Sequence, residues 1–200
     1  MTTATTDMLH HHDDHHEHHA NEADATDIFG FWMYIMTDCI LFATLFAGFA
    51  VMYQNTASGP ALGTLFNMNY VLKETMFLLF SNLTFGMAAL AAYKNKKALI
   101  LTFLVLTFIL GSGFVTMEVN EFINLIHEGH SFQNSGALSA FFTLVATHGL
   151  HVSFGLLWIL VMILQFSLAP NVNRNLKRRL TYLGLFWNFL DIVWIFVFTI

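Results

Sequence analysis

Five long apolar stretches leave this chain very few possible folds. They lie at about residues 28–53, 71–93, 98–117, 138–168 and 180–200. A helix needs about 20 mostly apolar residues to cross a hydrocarbon core of roughly 30 Å, and each stretch reaches that length. The strands of an outer-membrane barrel would instead alternate polar and apolar residues over about ten positions. We therefore predict an all-α protein, an integral membrane bundle of five transmembrane helices.

The composition of the chain supports a membrane environment and excludes other classes of protein. Of its 200 residues, 56% are hydrophobic and 10% are charged, whereas about 25% of the residues in an average soluble domain are charged. The eight lysines and arginines form no basic footprint for nucleic acid, so we expect no nucleic-acid partner. The lone cysteine, Cys39, excludes a disulfide framework and any site within the chain that needs several cysteine ligands.

Basic residues occur in only two of the four loops between these helices, and they predict the orientation of the chain. They follow the second and the fourth helix: Lys94, Lys96, Lys97, Arg174, Lys177, Arg178 and Arg179. The other two loops, residues 54–70 and 118–137, contain none. Because lysine and arginine are enriched in cytoplasmic loops, we predict a cytoplasmic N-terminus and a periplasmic C-terminus.

The first 27 residues differ from the rest of the chain. They hold seven acids, seven histidines and no lysine or arginine. Low hydrophobicity and high charge predict a disordered, acidic, histidine-rich cytoplasmic tail, because such a segment has little apolar surface to bury. Metal binding by the tail is the alternative, since clustered imidazoles and carboxylates can hold zinc, copper or nickel.

Four ionisable residues lie near the middle of the apolar stretches: Asp38, His148, His151 and Asp191. Such a group near the bilayer centre costs roughly 2.5–3.5 kcal/mol, so each needs a partner or a function. At 1.5 Å per residue, Asp38 and Asp191 fall roughly 15 Å from the predicted cytoplasmic ends of their helices, and the two histidines roughly 15–20 Å from the outer end of theirs. We predict that they form one intramembrane polar layer with a structural, lipid-related or proton-related role.

The two histidines of this layer lie three residues apart and therefore on one helical face. They allow two interpretations, a haem or metal ligand pair and a pair of interhelical hydrogen bonds. Haem ligation across a bundle usually takes one histidine from each of two helices, and the apolar stretches contain no third histidine. We therefore favour hydrogen bonding and expect no catalytic residue, bound cofactor or metal site in this chain.

Three acids mark the predicted periplasmic end of the bundle. Glu118 and Glu121 follow the third apolar stretch, and Lys73 and Glu74 open the second stretch at the same level. Paired carboxylates can perform acid–base chemistry. Because water is close at this depth, we instead expect interfacial acids that form ion pairs or hydrogen bonds.

Two sequence patterns predict helix packing. In the last stretch Trp187, Asp191, Trp194 and Phe198 follow one another at helical spacing, which predicts a packing face with Asp191 directed into the bundle. The small residues of segment 111–113 allow two helices to approach closely in lipid.

Four segments together resemble a known family. They are FGFWMYIMTDCILFATLFA (29–47), MEVNEF (117–122), THGLHVSFG (147–155) and FWNFLDIVWIFVFT (186–199). In this order they resemble subunit 3 of the haem–copper oxidases. The five-span form with a histidine-rich tail is most similar to that of the bacterial cytochrome o ubiquinol oxidases.

This resemblance implies a non-redox subunit of a proton-pumping terminal quinol oxidase in the bacterial inner membrane. The partners it implies are oxidase subunits 1, 2 and 4, with the haems and copper in catalytic subunit 1, and phospholipid bound in a cleft. The implied role is to support the stability, lipid binding and proton entry of the catalytic subunit. The family's intramembrane acids correspond to Asp38 and Asp191, its paired acids to Glu118 and Glu121, and its histidine pair to His148 and His151.

Two functions from other classes remain as alternatives at the level of sequence. A small proton-coupled transporter would use Asp38, Asp191 and the histidine pair as a relay, although such proteins favour broken helices and internal repeats. A membrane metal oxidoreductase would need more ligands than this chain offers. The electron donor (ubiquinol, menaquinol or cytochrome c) cannot be read from this chain.

The tail hypothesis leads to a deletion experiment. Removing residues 1–22 should leave assembly of the oxidase complex and its turnover close to normal, because a disordered segment contributes no packed surface. Native gel electrophoresis and oxygen uptake measure the two properties. Failure of the shortened chain to assemble would identify the tail as a docking element instead.

Overall fold

The structure, a computed structural model, describes the backbone of residues 3–52, 68–127, 136–168 and 173–199. Side chains are described for residues 26, 28–52, 70–124, 136, 139–168 and 173–199. Within these ranges the regular structure is entirely helical. The helices are α1 (Thr3–Met52), α2 (Met68–Tyr93), α3 (Lys97–His127), α4 (Gly136–Leu168) and α5 (Arg174–Thr199).

The prediction of five membrane-spanning helices is confirmed. The parts of the helices that are long and apolar enough to cross a membrane are Ile28–Met52, Tyr70–Tyr93, Lys97–Asn124, Ser139–Leu168 and Arg174–Thr199. The tail side chains before Thr26 lie outside the described residues, and α1 is assigned from Thr3. The disorder and the metal binding of the tail therefore stay predictions, as does the orientation of the termini.

Among α2–α5, two helix ends extend furthest beyond the sequence-based bounds, and both extensions have the same cause. Helix α3 continues from Met117 to His127, and α5 begins at Arg174 rather than near Leu180. A helix satisfies its own backbone hydrogen bonds whether or not its side chains are apolar. The charged residues that ended the apolar stretches therefore lie within helices.

The chain divides into two compact units, residues 1–40 and 41–200. In the second unit α2 packs against α3 and α5, and α4 packs against the same two helices, so that α2–α5 form a closed four-helix bundle. The part of α1 that belongs to this unit contributes Phe42, Phe46 and Phe49. Their rings lie 5.3–6.4 Å, centroid to centroid, from rings of α4 and α5.

Each helix of the bundle buries residues at alternating spacings of three and four. These positions are 74, 78, 81, 85, 88 and 92 in α2; 100, 104, 107, 111, 114 and 118 in α3; 145, 148, 152, 155, 159, 162 and 166 in α4; and 180, 183, 187, 190, 194 and 197 in α5. A repeat of 3.5 residues keeps one seam of each helix against its neighbours and is typical of left-handed bundles with crossing angles near +20°. We call these positions the seams of the bundle.

The largest side chain of the seams fits against glycines, as segment 111–113 predicted. A Cβ atom on Gly111 would lie 3.2 Å from the Trp187 ring and 2.7 Å from Leu156 Cδ2. A Cβ atom on Gly155 would lie 3.0 Å from the same tryptophan ring. The indole of Trp187 therefore occupies space that only glycine leaves open in α3 and α4.

One end of the bundle is closed by the basic segments. Helix α2 ends in a Schellman motif, in which Asn95 adopts a φ of 53° and the Lys96 N–H donates to the Ala91 carbonyl at 3.3 Å. At the same end Lys97 Nζ donates to the Ser167 carbonyl at 3.2 Å. Arg179 donates to Gln165 Oε1, also at 3.2 Å. The two basic segments thus lie on one side, as the predicted orientation requires.

Buried hydroxyls link α2 to α3 in the middle of the bundle. Thr84 and Thr107 approach to 2.9 Å between their Oγ1 atoms, and the Ser81 hydroxyl donates to the Thr107 carbonyl at 3.4 Å. Each threonine hydroxyl also donates within its own helix, to Ser81 and Phe103 carbonyls respectively. Each hydroxyl has one proton, which it cannot donate fully both to the carbonyl of its own helix and to the other threonine. The proton is therefore shared between the intrahelical and the interhelical hydrogen bond.

We expect the Thr84–Thr107 pair to contribute modestly to stability. In a double-mutant cycle with Thr84→Val and Thr107→Val, the coupling energy should be about 0.6 kcal/mol, the average for interhelical hydrogen bonds in membrane proteins. Unfolding in mixed micelles measures it. Thr102→Val, in which the replaced hydroxyl bonds only the Ala98 carbonyl of its own helix, is the control. A coupling above about 2 kcal/mol would contradict the shared-bond interpretation.

Candidate functional site

The buried face of α5 brings Asp191 into the bundle, as its spacing predicts. Trp187, Asp191 and Trp194 are buried, whereas Phe198 is 39% exposed. The seam of α5 runs through positions 187, 190, 194 and 197, so Phe198 lies one residue past the seam and Val197 occupies the buried position there. The Asp191 carboxylate accepts a hydrogen bond from the side chain of Asn82 on α2.

His148 is fully buried, with 0% of its surface exposed, and aromatic rings surround it. Trp194 stacks on the imidazole with 5.2 Å between ring centroids, while Phe114 and Phe42 meet it edge-on at 6.2 and 6.4 Å. Neither ring nitrogen has a hydrogen-bond partner among the described residues. The interhelical hydrogen bond that we expected for His148 is therefore not found there, and ring packing connects α4 with α5 instead.

His151 is half-buried one turn further along the same helix. Its Nδ1 lies 2.7 Å from the carbonyl oxygen of Thr147. A carbonyl only accepts, so Nδ1 carries the proton and donates in this contact. The imidazole also lies 5.3 Å from the Phe42 ring, centroid to centroid. The two histidines thus share Phe42 as a neighbour but lie in different polar surroundings.

A second hydrogen bond joins α5 to α2. The indole nitrogen of Trp194 donates to Thr75 Oγ1 at 3.2 Å, and Thr75 follows Glu74 directly in sequence. Trp194 therefore connects the His148 ring on one side with the carboxylate end of α2 on the other. Thr75 has no distinctive sequence signal, because threonine hydroxyls usually bond within their own helix. Asn82 does carry a signal that sequence analysis missed, because an amide within an apolar span favours a hydrogen bond to another helix.

The three carboxylates lie near one another, and two of them are buried in the bundle. Glu74 is 0% exposed, Glu118 is buried and Glu121 is half-buried. Glu74 interacts electrostatically with both of the others. Within the described part of the chain, neither Glu74 oxygen has a hydrogen-bond partner, nor does Glu118 Oε1. The ion pairs or hydrogen bonds that we expect for these acids stay a prediction. Their burial was not expected, because depth along a helix does not reveal which face a residue occupies.

Gly149 makes room for one of these acids. A Cβ atom at this position would lie 2.9 Å from both carboxylate oxygens of Glu118. The carboxylate of α3 therefore lies directly against the backbone of α4, beside His148. Sequence analysis did not single out Gly149, although a glycine next to an intramembrane histidine is a usable signal for close approach.

Asp38 lies on α1, in the unit of residues 1–40, with a buried side chain. Its carboxylate is hydrogen-bonded to the Tyr34 hydroxyl one turn earlier on the same helix. The placement of Asp38 in one layer with His148, His151 and Asp191 stays a prediction.

The chemistry available to this cluster is that of proton exchange and polar packing. Among the side chains that the structure describes, no group of three or more histidine, cysteine, aspartate or glutamate residues is arranged to hold a metal ion. The three glutamates therefore differ from the oxygen-rich cages that bind divalent cations. We refer to Glu74, Glu118, Glu121, His148 and Asp191 as the buried polar cluster.

The contact between Glu118 and Gly149 generates a specific prediction. Gly149→Ala should destabilise the bundle by about 1–3 kcal/mol, because the new methyl group displaces the carboxylate from its place. Adding Glu118→Ala should restore part of that loss. Gly86→Ala on α2, where a Cβ atom would meet nothing within 4 Å, is the matched control, and thermal unfolding in detergent measures all of these variants. Equal effects at both glycines would argue against a packed carboxylate.

Comparison with known proteins places the chain in a family. The family model for cytochrome c oxidase subunit III matches residues 2–200. Cytochrome bo(3) ubiquinol oxidase subunit 3 of Pseudomonas aeruginosa is 49% identical over 191 residues, which cover 96% of this chain and 88% of that protein. Its counterpart in Pseudomonas putida is 50% identical over 86% of this chain and 83% of its own length.

A third relative has a different electron donor in its name. Cytochrome c oxidase subunit 3 of Bacillus sp. (strain PS3) is 41% identical over 86% of this chain and 82% of that protein. None of these relatives is named as a transporter, so the transporter alternative receives no support. The match over residues 2–200, with five membrane-spanning helices in the expected order, shows that the chain belongs to the cytochrome c oxidase subunit III family.

Proposed function

We propose that this chain is the accessory subunit III of a quinol-oxidising haem–copper terminal oxidase in a bacterial inner membrane. One observation carries this proposal. Over 86–96% of its length, this chain is identical at about half of the aligned positions to subunits named for ubiquinol oxidases. The five-helix architecture is consistent with a multi-pass subunit of such a complex. The chain itself performs no redox step in this proposal.

The proposal also names the neighbours of this chain in the complex. In this proposal the chain packs beside catalytic subunit 1, which holds the haems and copper, and belongs to a complex with subunits 2 and 4. Phospholipid fills the gaps between the subunits. The large apolar side chains exposed on α1 and α4, such as Trp32, Phe154 and Leu157, offer surface both for lipid and for neighbouring helices.

The buried polar cluster has two roles in the proposal. It fixes how the four helices pack, through Asn82–Asp191, Trp194–Thr75 and the ring stack on His148. Its carboxylates also provide groups that can exchange protons near the catalytic subunit's proton entry. Loss of a member should therefore affect the durability of the complex before it affects electron transfer.

The most direct experiment on the assignment is purification of the complex from native membranes in a mild detergent. A tag on this chain should bring down the other oxidase subunits, identified by mass spectrometry, together with a haem spectrum and quinol-driven oxygen uptake. The chain expressed alone should contain no stoichiometric haem, copper or iron. A metal or haem in the isolated chain that disappears in His148→Ala would contradict the non-redox assignment.

The role of the cluster in the complex can be tested during turnover. Asp191→Leu should leave the haem spectrum unchanged and the initial rate of quinol oxidation near normal, because the redox groups lie in another chain. The same variant should shorten the active lifetime or release the subunit more readily, since Asn82 loses its partner at a cost of about 1–3 kcal/mol. His151→Leu should behave in the same way.

Ile192→Leu, a change at an exposed neighbour on α5, is the control for this series. The measurements are time courses of oxygen uptake with parallel spectra and subunit analysis. A fall in initial rate of more than about tenfold with all subunits retained would instead make Asp191 part of the redox machinery.

A further inference from the structure

One face of α5 lies opposite the seam that packs against α2 and α4. Its positions are 181, 185, 188, 192, 195 and 199, and all of them are exposed except Leu185, which is half-buried. They alternate at spacings of four and three residues, as the seam positions do, so all six share one side of the helix. We call these six positions the outer strip of α5.

Asn188 lies at the centre of the outer strip and near the middle of the membrane. It follows Arg174 by 14 residues and precedes Thr199 by 11, which is about 21 and 17 Å along the helix axis. The hydrocarbon core is roughly 30 Å thick, so this short side chain cannot reach the headgroups as a long lysine side chain can. The exposed amide therefore lies where water is absent.

The amide of Asn188 has no hydrogen bond with any residue that the structure describes. The two hydroxyls of the same strip bond within their own helix. Thr181 donates to the Lys177 carbonyl at 3.1 Å, and Thr199 donates to the Ile195 carbonyl at 2.6 Å. An amide has two N–H hydrogens to donate and a carbonyl oxygen that accepts. Asn188 thus needs a partner that the described part of this chain does not supply.

Lipid tails offer this amide neither a donor nor an acceptor. A polar side chain on another transmembrane helix offers both, and asparagine is one of the residues that hydrogen-bond between helices in membranes. A single asparagine in an otherwise apolar seam also fixes the register of two packed helices. Asn188 therefore fits a neighbouring helix that carries a polar side chain at the same depth.

The other side chains of the strip suit helix packing. Ile192 and Ile195 are 54% and 56% exposed. Each is β-branched and keeps one preferred rotamer in a helix, so packing restricts it little further. The phenylalanines of α5 that contact rings of α1, Phe189 and Phe196, lie beside the strip and not on it. The strip is therefore open to another helix.

We propose that the outer strip of α5 docks on a transmembrane helix of another oxidase subunit, with Asn188 hydrogen-bonded to a polar side chain of that helix in the middle of the membrane. The identity of this neighbour rests on the proposed function, because a chain of the subunit III family has different chains beside it in an oxidase. Two copies of this chain, packed in parallel, would instead pair Asn188 with itself.

The first test uses the complex purified from native membranes through a tag on this chain. Asn188→Leu should raise the fraction of this chain that separates from the complex by about three- to tenfold, the effect of losing one interhelical hydrogen bond. Asn188→Gln keeps an amide and should stay close to the unchanged chain. Thr181→Val is the matched control, because it removes a hydroxyl of the same strip that bonds its own helix.

The full chain without its partners separates docking from folding. There the Asn188 amide meets only detergent, so Asn188→Leu should leave thermal unfolding unchanged or shift it to higher temperature. A lower unfolding temperature in this variant would show that Asn188 holds this chain together, contrary to the proposal.

Photo-crosslinking identifies the neighbour. The photoreactive residue p-benzoylphenylalanine in place of Ile195 should give an adduct with another oxidase subunit, which mass spectrometry identifies. The same residue in place of Leu83, which is exposed near the middle of α2, should not give that adduct.

Several results would overturn the docking. Adducts from position 195 with detergent or lipid alone would show that the strip faces the bilayer, and adducts between two copies of this chain would show a homodimer. Equal release by Asn188→Leu and Thr181→Val, or by Asn188→Leu and Asn188→Gln, would show that the amide is not used. Purification without any other oxidase subunit would contradict the proposed function itself, so the two failures are distinguishable.

Discussion

The absence of water from a hydrocarbon core is the constraint on which the rest of this structure depends. A polar group there must find its partner inside the protein. Most hydroxyls in the helices solve this locally: Thr102, Thr143 and Ser153 each donate to the carbonyl oxygen four residues earlier at 2.8–2.9 Å. These hydroxyls therefore need no hydrogen-bond partner on a neighbouring helix. The acids, His148 and Trp194 cannot be satisfied in this way, and these side chains occupy the interior.

The polar side chains therefore specify how the helices pack more than how strongly they pack. Glu74, Thr107, Glu118 and His148 all occupy seam positions, and Trp194 does the same on α5. Shifting one helix by a single residue would rotate its face by about 100°. A carboxylate would then face lipid, at a cost of roughly 2.5–3.5 kcal/mol. An apolar seam alone would not resist such a shift, because lipid is as apolar as the seam.

Because lipid and the helix seams are equally apolar, some features of the fold could be predicted from the sequence and others could not. Length and hydropathy sufficed for the number and order of the five helices, and the acids and histidines marked the interior. The faces of the helices remained hidden, because exposed Leu79 and Phe80 are as apolar as their buried neighbour Leu78. Partners with ordinary residue types, such as Thr75, became visible only once the helices were placed. The predicted end of α3 at Met117 was also too early. The apolar stretch stops before Glu118, but the helix continues and buries this residue.

The buried glutamates at one end of the bundle favour a function beyond helix packing. Leaving a buried polar group unsatisfied costs about 1–3 kcal/mol, and Glu74 has no hydrogen-bond partner for either oxygen among the described residues. Apolar side chains of similar size would make a more stable scaffold. The aromatic packing around His148 and the Trp187 contacts with Gly111 and Gly155 offset the cost. Beyond specifying which helix faces pack together, these acids add no stability to a structural subunit, which is consistent with our proposal that they act on protons in the assembled oxidase.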